Sequence, residues 1–384
     1  MLVRCPARTR VNTDPSRPRL GLVLAGVRHI PSWTTAIPVV ALLTLIPTWG
    51  AKPPGIVLGV IALLLGGAVF AAVHHAEVIA HRVGEPFGSL VLAISVTIIE
   101  VGLIVTLMVS GGSETDTLAR DTVFAAAMIT CNGILGLSIL VAALRRHVAE
   151  FNAEGMASAL ATVGTLATLT LVLPTFTTSA SGPEFTAGQL AFAAVASIAL
   201  YALFVLVQTV RHRDYFLPDE ADAPPEVHAA PPTNREALTS LGLLVVALVA
   251  VVGLAKVESP AIEDAVGAIG APASAVGVAI ALVVLLPETI AAIRNAARGR
   301  VQTSMNLAFG SAIASIGLTI PAIAVASIWL DGPLVLGLGP TQMVLLAITA
   351  VVGALTVLPG RATVQEGGVH LVLFAAFLVL AVSP

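Results

Sequence analysis

Charge is what this sequence has least of. Asp, Glu, Lys and Arg make up 11% of its 384 residues, against about 25% in soluble domains. So few charges cannot cover the surface of a soluble globular protein of this length. Disorder is excluded too, because disordered chains are charge-rich and poor in Val, Ile and Leu. Cysteine is nearly absent: Cys5 lies near the N-terminus and Cys131 inside an apolar run. That leaves neither a disulfide framework nor a zinc-type cysteine pair. The net charge of −3 includes no basic stripe, so nucleic acid is not an expected partner. Lysine occurs only as Lys52 and Lys256. This bias towards Arg suits a GC-rich bacterial genome.

What is there is hydrophobic. Apolar residues make up 57% of the chain, and the mean hydropathy is +0.97. The fold class this predicts is an all-α integral membrane protein, with the lipid bilayer as its surroundings. A span needs about 20 apolar residues. Eleven segments qualify: 31–49, 55–80, 86–110, 122–144, 155–178, 187–210, 238–256, 271–293, 303–329, 341–358 and 369–382.

The segments sort into parts. Residues 1–30 form a basic tail. The short apolar stretch Leu20–Val27 within it is followed by Arg28 and by no small-residue cleavage site, so the tail reads as retained and cytoplasmic. Residues 31–49 are a leading span. A first set of five spans fills 50–210, an acidic, Pro-rich linker fills 211–237, and a second set of five fills 238–384.

Basic residues orient the chain, because loops rich in Lys and Arg stay cytoplasmic. With the N-terminus inside and eleven crossings, the cytoplasmic face collects the six Arg of the tail. It also collects Arg82, Arg145, Arg146, Arg211, Arg213, Arg235, Arg294, Arg298, Arg300 and Arg361. Only Lys52, Arg120 and Lys256 fall outside. The odd count puts the C-terminus on the extracytoplasmic side of a bacterial plasma (inner) membrane. One span followed by five and five makes the two sets enter the membrane in opposite directions, which is the inverted repeat of secondary transporters.

Acids inside spans are expensive and therefore mark function. Three lie deep in apolar runs: Glu77, Glu100 and Glu288. Glu100 is 14 residues past Pro86, roughly 21 Å along a helix. Glu288 is 16 residues past Pro272, at a comparable depth in the other half. Each is expected to bind ions and couple protons. Pro287 precedes Glu288 and frees a backbone carbonyl one turn back. A carboxylate beside free carbonyls suits a hard cation, and Ca²⁺ takes six to eight oxygens. The span after each glutamate is polar and small: Thr130 and Asn132 in the first half, and Asn306, Gly310, Ser311, Ser315 and Gly317 in the second. Asn132, Ser311 and Ser315 are secondary ion-site candidates. Helix packing explains the Gly and Ser positions equally well.

One further cluster, His74, His75, Glu77 and His81 with Glu85 beyond, caps the cytoplasmic end of the second span. It reads as a polar cap, as a proton or ion inlet, or, least of all, as a transition-metal site. The linker acids Asp214, Asp219, Glu220, Asp222, Glu226 and Glu236 lack the spacing and Gly of an EF-hand. They read as a solvated connection, or as a weak regulatory Ca²⁺ sensor. No phosphate loop, HExxH pattern or nucleophile elbow marks an enzyme.

The stretches HRVGEPFGSLVLAISVTIIEVGLI, RDTVFAAAMITCNGILGLS and NLAFGSAIASIGLTIP resemble the ChaA-type calcium/proton antiporters of the cation/Ca²⁺ exchanger superfamily. The resemblance covers nearly the whole membrane region. It implies one leading helix and two inverted sets of five. It also implies a shared ion site at Glu100 and Glu288, with Thr97 as the polar residue three before the first glutamate. The second half has Leu285 at that place, and Ala127-Met128 stands where the other half has Gly310-Ser311. Likewise Asn132 answers to Ser315.

The expected function is exchange of Ca²⁺ for H⁺ by alternating access, with cation and protons competing for the two glutamates. The alternatives are Na⁺ or K⁺ exchange by the same fold and an intramembrane metalloenzyme. No cofactor is expected beyond the transported ions, and a homo-oligomer is left open.

Overall fold

Apolar runs become helices here because a bilayer leaves backbone amides no partner but their own carbonyls. The computed structural model describes residues 32–84, 87–110, 116–217, 231–268, 270–272, 274–330 and 332–383. The basic tail, Glu85 and most of the acidic linker lie outside the described residues.

The first half runs α1 (Trp33–Thr48), α2 (Gly55–Val83), α3 (Phe87–Ser110), α4 (Leu118–Met128), α5 (Leu135–Arg146), α6 (Ala153–Ala167), α7 (Leu173–Phe176) and α8 (Ala187–Leu206). The second runs α9 (Asn234–Ala268), α10 (Ser274–Val284), α11 (Leu286–Ala297), α12 (Val301–Ala326), α13 (Pro340–Val357) and α14 (Val364–Val382). A π-helical turn, Ile129–Ile134, joins α4 to α5 into one element. Another, Thr168–Val172, joins α6 to α7.

Among the described residues, nine continuous helices are long and apolar enough to cross a membrane. The pair α10–α11, bent by 50°, makes a tenth. The apolar helix α1 has 16 residues and is shorter than a full span. These elements match the eleven expected segments in order. The boundaries differ in two places that matter. The segment expected at 271–293 is broken at Leu285, where Pro287 cannot donate to the carbonyl one turn back. The segment expected at 238–256 runs on to Ala268, past Pro260.

Two short strand pairings tie the halves together. Ala149–Glu150 (β1) pairs antiparallel with Arg361–Ala362 (β2), and Glu184 bridges to Val335. The first joins the connection after α5 to the connection after α13. The second joins the connection after α7 to the connection after α12. Within its half each connection follows the third or the fourth span, and the two pairings exchange these roles. That exchange is the mark of a pseudo-two-fold relation between inverted halves.

The most buried spans are Leu118–Arg146 and α12, the two that follow the glutamate-bearing helices. Outward faces carry Ile56, Leu63, Phe192, Val195 and Leu238, as lipid contact requires. At one end of the bundle Arg145 donates to the Ala297 carbonyl at the C-terminus of α11, 2.8 Å away, where a cation complements the helix dipole. Near Thr117 the buried Asp121 accepts from Arg120 at 2.8 Å and from Gln342 at 3.1 Å.

Candidate functional site

Glu100 sits midway along the unbroken helix α3 and is 2% exposed. Its Oε2 accepts a hydrogen bond from the Ser315 hydroxyl of α12 at 3.0 Å. Its Oε1 is buried and has no partner among the described residues. Thr319, one turn beyond Ser315, faces the same carboxylate, and its hydroxyl is buried with no close partner among the described residues.

Glu288 arrives differently. The break at Leu285 restarts the helix, with Pro287 in its first turn and Glu288 beside it. The carboxylate is therefore presented at a helix N-terminus, where the backbone dipole favours negative charge. Glu288 Oε2 is sealed from solvent and unpartnered among the described residues. Glu288 lies within electrostatic range of Glu100. Three buried oxygens, from α3, α11 and α12, thus go without a partner in one region. Buried polar atoms are rarely left so, and a group of oxygens of this kind suits a proton or a hard cation.

The other expected residues separate into those that share this region and those that do not. Ser311 is half-buried one turn before Ser315, so Ser311, Ser315 and Thr319 share one face of α12. That four-residue spacing was present in the sequence and would have identified Thr319. Thr97 is buried but opens on a largely apolar cleft of about 560 Å³, shared with Val252 of α9 and Leu318 of α12.

Asn132 turns elsewhere. Its amide nitrogen donates to Thr349 of α13 at 2.9 Å. Its oxygen meets His370 Nδ1 of α14 at 3.0 Å. His370 Nε2 meets the Thr356 hydroxyl at 3.1 Å. With Asn132 donating to Thr349, its oxygen is an acceptor, so His370 carries its proton on Nδ1 and accepts from Thr356 on Nε2. This is a closed network, fully buried, seated on the π-helical turn that contains Asn132. Two local features make room for it: the π turn widens the helix, and Gly136 leaves space for His370, whose Cβ would be 2.9 Å from any added side chain.

The histidine cluster also divides. His75 is buried, with Nε2 on the Thr34 carbonyl at 3.0 Å and Nδ1 on the Ser240 hydroxyl at 3.3 Å. A carbonyl only accepts, so Nε2 holds the proton and the neutral ring ties α2 to α1 and α9. His74, Glu77 and His81 lie on another face of α2. Glu77 is within electrostatic range of both histidines and of Glu288. Among the described residues, no group of three or more His, Cys, Asp or Glu is placed to hold a metal ion.

The profile of the family described as sodium/calcium exchanger protein matches residues 54–210 and 239–383. The chain belongs to this family. A putative ionic transporter y4hA of Sinorhizobium fredii (strain NBRC 101917 / NGR234) is 47% identical over 361 residues, covering 93% of this chain and 97% of the relative. The sodium-potassium/proton antiporter ChaA of Escherichia coli (strain K12) is 34% identical over 348 residues, covering 89% and 94%. Among solved structures, native YfkE superposes with a TM-score of 0.67 at 16% identity, covering 92% of this chain and 99% of that one. The H⁺/Ca²⁺ exchanger CAX gives 0.64 at 18%, covering 90% and 86%. At these identities the structures share the fold. As an exchanger the chain is a multi-pass membrane transporter of inorganic cations and not an enzyme.

Proposed function

We propose that this exchanger carries Ca²⁺ against H⁺ by alternating access, with Glu100 and Glu288 taking cation or protons in competition. The observation that supports this most is the set of sealed, unpartnered oxygens: Glu100 Oε1, Glu288 Oε2 and Thr319 Oγ1. Two carboxylates have two neutral states, both protonated or both ionised around one divalent cation. A neutral site can cross the low-dielectric switch, and an empty, doubly charged one cannot. Since both loads cannot occupy the site together, movement of one is coupled to counter-movement of the other. Glu100 and Glu288 together offer up to four of the oxygens that Ca²⁺ takes. Ser315, Thr319 and the carbonyl freed by Pro287 supply further oxygens in this reading. His74, Glu77 and His81 form the inlet from the Arg-rich face, which is cytoplasmic in this reading and shared by the N-terminus. The C-terminus is extracytoplasmic, and the membrane is the bacterial inner membrane.

A second reading, Na⁺ or K⁺ against H⁺, is favoured by the 34% identical relative, which is named for those ions. Cation-driven proton flux in everted vesicles separates the two. Ca²⁺ is expected to drive flux in the native protein and to fail with Glu100→Gln or Glu288→Gln. Flux with Na⁺ and none with Ca²⁺ reassigns the substrate. Exchange at the native rate in either Gln variant rejects the two-carboxylate site.

A further inference from the structure

Helix α9 has 35 residues, roughly 52 Å of helix, where the hydrocarbon core is about 30 Å thick. One buried stripe runs along it: Ser240, Leu244, Ala247, Val251, Leu254 and Glu258. Ser240 and Glu258 are 18 residues apart, five full turns and roughly 27 Å. At the first end Ser240 meets His75. The stripe finishes on a carboxylate.

Glu258 is 6% exposed, and its Oε1 has no hydrogen-bond partner among the described residues. Its neighbours are engaged elsewhere. Lys256 holds its ammonium over the Trp49 ring, 5.1 Å from the centroid. The Ser259 hydroxyl donates to Glu263 Oε1 at 2.9 Å. A buried acid with an unpartnered oxygen is costly to keep.

Its position gives it a use. Arg82, at the end of α2, donates to Asn234 at the start of α9, 2.8 Å away, and α3 begins just beyond α2 at Phe87. So α3 and α9 start at the same end and run parallel. They touch where Gly102 faces Val252, since a side chain on Gly102 would come within 2.6 Å of Val252 Cγ2. Glu258 is six residues past that contact and Glu100 two residues before it. Glu258 therefore lies roughly 12 Å further along the bundle than Glu100, on the side away from Arg82. Glu77 lies on the Arg82 side. We infer that Glu258 is a cation- and proton-binding station on the α2-facing stripe of α9, closer than the Glu100–Glu288 site to the membrane face remote from Arg82.

This inference rests on the exchange reading above. It is tested with cation-driven proton flux in everted and right-side-out vesicles, so that Ca²⁺ or Na⁺ meets one face at a time. Glu258→Gln is expected to raise the apparent KM about tenfold for cation added at the remote face. KM at the Arg82 face should change less than twofold. Glu258→Asp, which keeps the charge, should recover most of the loss. An equal shift at both faces, or none at either, overturns the inference. If the Gln variant does not assemble, the Asp variant is read alone: a one-sided rise of two- to threefold supports the station, and a symmetric rise or no change rejects it. Glu100→Gln runs in parallel and separates the failures. Exchange surviving in that variant refutes the two-carboxylate site, whereas its loss alongside a symmetric Glu258→Gln refutes only the station.

Discussion

Ser315 of α12 reaches across to Glu100 of α3 and donates to its Oε2 at 3.0 Å. This one hydrogen bond joins a residue of the second half to the acid of the first. It also holds the carboxylate with its other oxygen free. Ser315→Ala removes a bond to a chargeable group, worth about 1.5–3 kcal/mol when the acceptor is ionised. The ionised, cation-ready form suffers more than the protonated form. The expected result is a rise in cation KM of about ten- to a hundredfold, with a smaller change in maximal rate. Thr319→Val should act in the same direction but more weakly, because Thr319 faces the Glu100 carboxylate without the close hydrogen bond that Ser315 makes. Steady-state proton flux against cation concentration measures both.

Leu285 is where the two glutamate helices stop being alike. Glu100 rides a continuous helix, whereas Glu288 opens a new one across a 50° bend. Replacing Pro287 with Ala restores an amide and favours a straighter helix through the break, since Pro is disfavoured by about 3 kcal/mol in a helix interior. That moves Glu288 out of the first turn and weakens its pairing with Glu100. Pro287→Ala is expected to lower the rate at saturating cation at least tenfold while the protein melts no lower than native. A variant with native turnover would show that the bend is not needed.

How much of this was legible in the sequence follows from what each residue needs. The spans were, because backbone satisfaction in lipid forces long apolar helices. The place of Glu100 and Glu288 inside membrane helices was, because an acid within an apolar run stands out where carboxylates are costly. Pro287 implies a freed carbonyl from sequence alone, but the break it makes at Leu285 depends on how α10 and α11 pack. Thr319 was readable from the Ser311–Ser315 spacing. Asn132 shows the limit. In the chain it occupies the place that Ser315 occupies in the other half, yet its partners are Thr349 and His370, 217 and 238 positions away. No local pattern announces partners so distant. Glu258 lies beyond the apolar run, which ends at Lys256, while the helix continues through Pro260.

Asn132 and His370 therefore make a separable prediction. Their network is fully paired and buried, so removing one member leaves the others unsatisfied, at about 1–3 kcal/mol each. Asn132→Ala or His370→Phe should lower the melting temperature by several degrees. Cation KM, measured on the protein that remains folded, should stay within twofold of native. A variant with native stability and a tenfold higher KM would move Asn132 into the ion site and reverse the assignment made from its hydrogen bonds.

Competition at two carboxylates fixes the form of the pH response. A protonated carboxylate does not ligate a cation, so acidifying the side to which cation is added must raise the apparent KM. The maximal rate at saturating cation should be spared. The size of the rise counts the protons displaced. When both glutamates must release a proton, each unit of acidification multiplies KM by up to about 100. When only one must, the factor is at most about 10. A divalent cation neutralised by both Glu100 and Glu288 requires the steeper law, and a monovalent cation held by one requires the shallower. Glu77→Gln, which alters the inlet rather than the pair, should leave the slope unchanged. Flux measured over two pH units with Ca²⁺ and with Na⁺ thus reads stoichiometry and substrate from one set of curves. A KM independent of pH would refute shared occupancy of the site by protons and cation.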